Sequence, residues 1–201
     1  MSDYKVVNAV DGTLRNLLWQ EMKIDPSISS ILGSTDDTRI SFEPPFKLMQ
    51  DTEPENNYLS LFLYRIVENA EMKNRPQELR NSNSLAYPPL SLNLFYLITP
   101  LTDSADNNHK LLSKVTQILY DNTIVKGDFL QGIEAEKPEE LRIIFNPISL
   151  EDITKLWSSF ARPYHLSISY EVKVIYIDSK HEKETELVRR KQVQYQQLNR
   201  T

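Results

Sequence analysis

Apolar residues fall on every second position from Leu90 to Ile98. Leu90, Leu92, Leu94, Tyr96 and Ile98 share one phase; Ser91 and Asn93 hold the other until Phe95 and Leu97 turn it apolar. A period of two is the period of a β-strand, and the change of phase composition predicts a strand whose second half is covered on both faces. Pro88 and Pro89 before it and Pro100 after it cannot donate to a central ladder, so they read as the limits of its pairing. A second strand is expected over 58–67, where Leu59, Leu61 and Leu63 alternate with Ser60, Phe62 and Tyr64. The longest alternation spans 164–178: Leu166, Ile168, Tyr170, Val172, Val174 and Tyr176 are assigned one face, and Ser167, Ser169, Glu171 and Lys173 the other. Short strands are expected at 39–42, stopped by Pro44 and Pro45, and at 141–145.

Helical spacing appears in three long stretches. Val6, Val7, Val10, Leu14, Leu17, Leu18 and Met22 form one stripe, and Leu111, Leu112, Val115, Ile118 and Leu119 form another after a capping region at 103–108. In the third, Ser149 as N-cap with Asp152 three residues on, and Ile148 facing Ile153, make a capping-box-like pair and a hydrophobic staple. Ile153, Leu156, Trp157 and Phe160 supply its buried stripe, and the helix must end before Pro163. Asp25-Pro26 and Gly33 bracket a short helix over 26–32. A strand, a helix and a strand at 141–145 fit a split βαβ element.

Residues 34–57 apart from the short strand, and 77–87, are polar and read as loops. Ser179 to Glu184 reads as a polar turn. Beyond it, Leu187 to Tyr195 has no apolar face as strand or helix; it is expected to return as a hairpin strand on Leu166–Ile177 or to project as an arm, with 196–201 reaching a neighbour. The fold class expected is therefore α+β, a single mixed, mainly antiparallel sheet flanked by helices, over residues 1–178, with 179–201 as a C-terminal hairpin strand or arm. Its core is expected to include Leu61, Leu63, Leu92, Leu94, Leu111, Val115, Leu119, Ile153, Trp157, Ile168, Tyr170 and Val172.

Composition narrows function mainly by exclusion. With no cysteine among 201 residues, thiol chemistry and disulfides are closed. The net charge of -5 argues against a nucleic-acid partner, which needs a concentrated basic surface. No apolar run approaches the roughly 20 residues of a membrane span, so no membrane insertion is expected, and the N-terminus lacks a signal layout. The glycines number 4 and are ungrouped, so no phosphate-cradling loop exists. His109, His165 and His181 are far apart and near no carboxylate pair at ligand spacing, so no metal or other cofactor is expected. Glu53/Glu55 and Glu139/Glu140 lie beside prolines and read as solvated charge. The polar group Arg65, Glu68, Asn69, Asn74 and Arg75 is denser than a solvent loop needs; it is either a network holding a turn or a contact surface. Arg189 and Arg190, in the one basic run, are further contact candidates.

Three stretches in order carry a resemblance: LYRIVENAEMKNRP at 63–76, PPLSLNLFYLIT at 88–99, and PISLEDITKLW at 147–157 running on to PYHLSISYEVKV at 163–174. Together they resemble the cap, or tail-terminator, proteins of extracellular contractile injection systems, which are phage-tail-like particles. The chain departs from that pattern at Leu112-Ser113, where Leu-Gly is expected, and at Tyr120-Asp121, where His-Asp is common. It is also short beside relatives with an added C-terminal region. The resemblance implies a structural protein without catalytic residues: a homo-hexameric ring distal to the baseplate that ends the inner tube and engages the last layer of sheath protein. It implies assembly in the bacterial cytoplasm, in a particle either released or held at a membrane. Arg65, Glu68, Asn69, Asn74, Arg75, Arg189 and Arg190 are then the expected subunit or tube contacts. Two other readings are a baseplate or connector ring of a phage-like particle and a small soluble enzyme, a hydrolase or transferase.

Overall fold

The computed structural model describes residues 5–33, 35–50, 57–73, 78–81, 84–126, 140–179 and 182–184. Its framework is a six-stranded sheet in the order β1-β2-β5-β8-β7-β6. The strands are β1 (Ile40–Ser41), β2 (Tyr58–Glu68), β5 (Leu90–Leu101), β6 (Ile124–Val125), β7 (Leu141–Phe145) and β8 (Ile168–Ile177). β1 pairs parallel to β2 and every other pairing is antiparallel. The sheet is thus mixed and mainly antiparallel, and the fold is α+β. Because β5 and β7 both run antiparallel to β8 between them, they are parallel to each other, and the helix joining them completes the split βαβ element.

One face of the sheet carries the main core. Helices α1 (Val6–Met22), α2 (Pro26–Leu32) and α4 (Ala105–Asp121) bring Val10, Leu14, Leu17, Leu18, Leu32, Leu111 and Val115 onto Leu59, Leu61, Leu94, Tyr96, Ile143 and Val172. α1 is also pinned by a hydrogen bond: the Tyr96 hydroxyl donates to Asp11 Oδ1 at 2.7 Å. Burial raises the Asp11 carboxyl above its usual range, and burial with the adjacent carboxylate pushes the Tyr96 phenol well up. α2 starts and stops as its residues require. The Asp25 carboxylate accepts from Ser27 N, and Gly33 takes φ 62°, the left-handed turn a glycine adopts without strain.

The opposite face has a smaller core. α5 (Leu150–Ser159) lays Ile153 and Trp157 on Leu97, with Phe160, Ile148 and Met49 around them. Ser149 caps it, Oγ accepting from Asp152 N and donating to Asp152 Oδ2. α3 (Pro45–Leu48) adds Phe46 against Phe160. Buried Ser60 donates to Glu43 O, and Thr99 bonds Ser167, so these two buried hydroxyls are satisfied. Of the expected core, Leu63, Leu92 and Ile168 are partly buried at its margin; the other nine are buried, divided between the two faces.

Four expectations are corrected. The stretch 77–87 is not simply loop: it holds β3 (Glu78–Asn81) and β4 (Ser84–Ala86), paired antiparallel. The expected turn at 179–184 contains β9 (Glu182–Glu184), which pairs with β4 to complete a second, three-stranded sheet. β8 is lined by β5 on one side and, over Tyr170–Lys173, by β7 on the other. Residues 187–195 themselves lie outside the described residues. On β8 a bulge opposite Asn93 shifts the register, Leu92 pairing with Ile175 and Leu94 with Val172. Ile175 and Ile177 therefore join the main core, while Tyr176 pairs with Ser91 on the other phase. Finally, β5 runs on through Pro100 to Leu101 against β2. β8 has left β5 after Ile98, so no ladder on that side needs the missing N–H of Pro100.

Candidate functional site: the open half of the sheet

Among the described residues, α5 covers the part of its sheet face around Leu97. The rest is a set of cross-strand rows, and its position follows from a second bulge. Between Leu63 and Arg65 the register of β2 on β5 slips, leaving Tyr64 as the extra residue. Tyr64 and Arg65, though adjacent, both reach the same aromatic ring. Tyr64 meets Phe95 edge-on at 6.3 Å between centroids, and the Arg65 guanidinium carbon lies 5.3 Å from its centre. The row continues across the sheet, Phe95 pairing with Glu171 and Glu171 with Ile144. Arg65 and Ile144 are exposed, Phe95 and Glu171 half-buried.

Side-chain hydrogen bonds tie this face together. Tyr64 Oη bonds Ser169 Oγ at 3.0 Å, and Asn146 Nδ2 donates to Ser169 Oγ. Further out, Asn69 Nδ2 donates to Asn93 Oδ1, and Asn93 Nδ2 donates to Glu171 Oε1 at 2.8 Å. Lys173 stands 3.7 Å from the other Glu171 oxygen. Beyond Lys173, its pairing partner Arg142 hydrogen-bonds Glu140, which also meets Lys126 at 2.5 Å. The hydrogen bonds from Lys126 and Arg142 hold the Glu140 carboxyl below its usual range. The result is a shaped, charged surface on which no nucleophile and base converge among the described residues. Among the described residues no cluster of His, Asp or Glu could hold a metal ion.

The candidates named from sequence separate here. Arg65 lies on this surface. Asn69 is buried and works locally: its side chain accepts from Glu71 N, capping the 3₁₀ turn at Ala70–Met72. Glu68 pairs with Lys73 across that turn at 3.2 Å. Asn74, Arg75, Arg189 and Arg190 lie outside the described residues. Sequence reading missed Phe95, Asn93, Glu171 and Lys173 as companions of Arg65. The alternation did place Asn93 with Phe95, and Glu171 with Lys173, on faces opposite the apolar phase. What it lacked was the strand order.

The profile of the Pvc16 N-terminal domain matches residues 9–191 of the chain. The chain belongs to the Pvc16 N-terminal domain family. Among solved structures it is similar to the sheath/tube terminator of PVC, an extracellular contractile injection system, in its extended state. That likeness has a TM-score of 0.66 at 20% identity, over 99% of this chain and 66% of that one. It is also similar to the tube-terminating cap of the anti-feeding prophage, with a TM-score of 0.55 at 18% identity, over 89% of this chain and 60% of that one. The chain thus spans about two thirds of the first and less of the second, and at these identities the likeness establishes the shared fold. Comparison with curated proteins gives no match. Within the family's fold, the open half-face is formed by β2, β5, β8 and β7.

Proposed function

We propose that this chain is the structural cap of a contractile, phage-tail-like particle. Its copies form a hexameric ring distal to the baseplate, which ends the inner tube and engages the last layer of sheath. The observation that supports this most is the alignment of 99% of the chain with a sheath/tube terminator, in a chain of the Pvc16 N-terminal domain family. A ring subunit needs heterologous contacts whose rotation closes, and it needs no active site. On this reading the protein is not an enzyme and takes no cofactor. It is assembled with the particle in the bacterial cytoplasm, and residues 179–201 act as a C-terminal hairpin strand or arm. The proposed ring and tube contacts are Arg65, Glu68, Asn74, Arg75, Arg189 and Arg190, with buried Asn69 holding the turn beside them.

The test is particle length and position. Deleting the gene should give tubes of uncontrolled length, and a labelled copy should appear only at the end opposite the baseplate. A label at the baseplate would instead assign the chain to a connector. Charge reversal at Arg65 and Arg75 should leave a folded chain that no longer forms rings in electron micrographs; normal rings would remove those residues from the contact.

A further inference from the structure

The six-stranded sheet ends on each side in a strand of two residues. β1 lies beside β2 at Leu59 and Ser60, and β6 lies beside β7 at Leu141 and Arg142. Past those pairs, β2 and β7 run on with no strand on their outer sides among the described residues. Which backbone groups point outward follows from the alternation of an antiparallel ladder. Asn69 N donates to Ser91 O, in register with the Val67–Asn93 and Arg65–Phe95 pairs, so these residues turn their polar groups toward β5. The N–H and C=O of Ile66 then point away from β5. On β7, Asn146 N donates to Ser169 O, in register with the Ile144–Glu171 pair, which leaves Ile143 and Phe145 pointing away from β8. Ile143 N is taken by Thr123 O at 2.8 Å. Among the described residues, the outward groups of Ile66 and Phe145 have no partner.

The side chains of these two residues are also left over. Ile66 and Phe145 are each 50% exposed, yet both belong to the face of the main core, Ile66 pairing with buried Leu94 and Phe145 with buried Tyr170. An exposed apolar edge is a template for a further strand. β2 and β7 run in opposite directions, because the antiparallel pairings β2–β5, β5–β8 and β8–β7 separate them. A second copy that continues the sheet, with its core on the same side, therefore sets its β2 antiparallel to the first copy's β7. Backbone chemistry then selects the register. Ile66 opposite Ile143 needs an N–H that Thr123 already holds, and Ile66 opposite Pro147 needs one that proline lacks. Ile66 opposite Phe145 lets the two residues exchange both of their outward hydrogen bonds and sets their side chains together, since directly opposite residues share a face. Val67 then faces Ile144, and Arg65 faces Asn146. The ladder stops where each chain turns to other partners: at Ile143, held by Thr123, and at Asn69, which opens the 3₁₀ turn.

We propose that copies of this chain join head to tail through their sheets, residues 65–67 of β2 in one copy adding to residues 144–146 of the next, with Ile66 and Phe145 as the hydrogen-bonded pair. Each copy offers two different edges, so the contact is heterologous and repeats until a ring closes and both edges are covered. This rests on the capping ring proposed above and names its contact. Arg65 lies within it.

The chain has no cysteine, so introduced thiols meet no native competitor. Val67→Cys with Ile144→Cys places them at the expected non-hydrogen-bonded pair, where Cα atoms lie about 4.5 Å apart and a disulfide can form. Particles carrying this double variant, mildly oxidised and run on a non-reducing gel, should give a ladder of linked subunits that stops at the closed ring, and neither single variant should link. A dimer from Val67→Cys or Ile144→Cys alone would show like edges meeting and overturn the proposal. Ile66→Pro removes an outward N–H without touching the ladder to β5. Added to the double variant, it should abolish the linked bands while the circular dichroism spectrum is unchanged; linking that persists would overturn the backbone pairing. The same gel on the purified double variant separates the two proposals. Labelled copies at the particle end that stay unlinked would overturn the pairing and leave the capping function standing. A ladder from the purified chain, with no labelled copy at the particle end, would do the reverse.

Discussion

Trp157 is the test of how the second face is held. It is 1% exposed, lies on Leu97 and Ile153, and touches Phe160 and His165 with ring centroids at 5.6 and 5.2 Å. Truncating a buried tryptophan to alanine costs about 3–5 kcal/mol in lost transfer free energy and residual cavity. One feature of the site reduces that figure: the indole Nε1 is buried without an acceptor, and an orphan donor costs about 1–3 kcal/mol. Trp157→Ala removes the orphan with the ring, so the net loss should fall near the lower end, about 3 kcal/mol. For a chain of this size that lowers Tm by about 6–12 °C, at roughly 2–4 °C per kcal/mol. Trp157→Phe keeps most of the aromatic packing and also removes the orphan donor, so it should cost about 1 kcal/mol. Urea unfolding followed by circular dichroism measures both. An unchanged midpoint for Trp157→Ala would refute burial against Leu97. Equal losses for Ala and Phe would show that the N–H has a partner.

Two further substitutions test the main face and the end of α5. Asp11 has a folded-state pKa raised by burial, so its protonated form is favoured on folding; its contribution is fully present below the ordinary value of 3.8 and is lost as pH rises through the folded value. Asp11→Asn, which can still accept from Tyr96, should therefore be at least as stable as wild type at pH 7, with the advantage vanishing toward pH 3 in urea titrations; a large loss at pH 7 would show that the charged carboxylate is what α1 requires. Ala161, just beyond α5, has φ 52°, the left-handed conformation that disfavours a Cβ. Ala161→Gly should raise stability by about 1 kcal/mol in the same assay, and a loss would mean that the Ala161 methyl packs.

Local chemistry alone determined much of this protein. α2 is bracketed by Asp25, Pro26 and Gly33, and α5 by Ser149 and its staple, because caps are satisfied within a few residues of the chain. The strands at 58–67 and 90–98 were legible because one apolar phase faces one core, and the divided covering of β5 showed in Phe95 and Leu97. The tertiary structure decided what depends on partners far along the chain. The pairing of 84–86 with 182–184 joins three-residue segments nearly a hundred residues apart, too short for an apolar period to announce either. The bulge in β8 was invisible because Val174, Ile175, Tyr176 and Ile177 are apolar in both phases, so a slip of one residue leaves the pattern intact. Strand order was hidden for the same reason: alternation says which side chains share a face, not which strands are neighbours. Only the placement of β8 between β5 and β7 brings Glu171 to Phe95 and puts Arg65 in the same row.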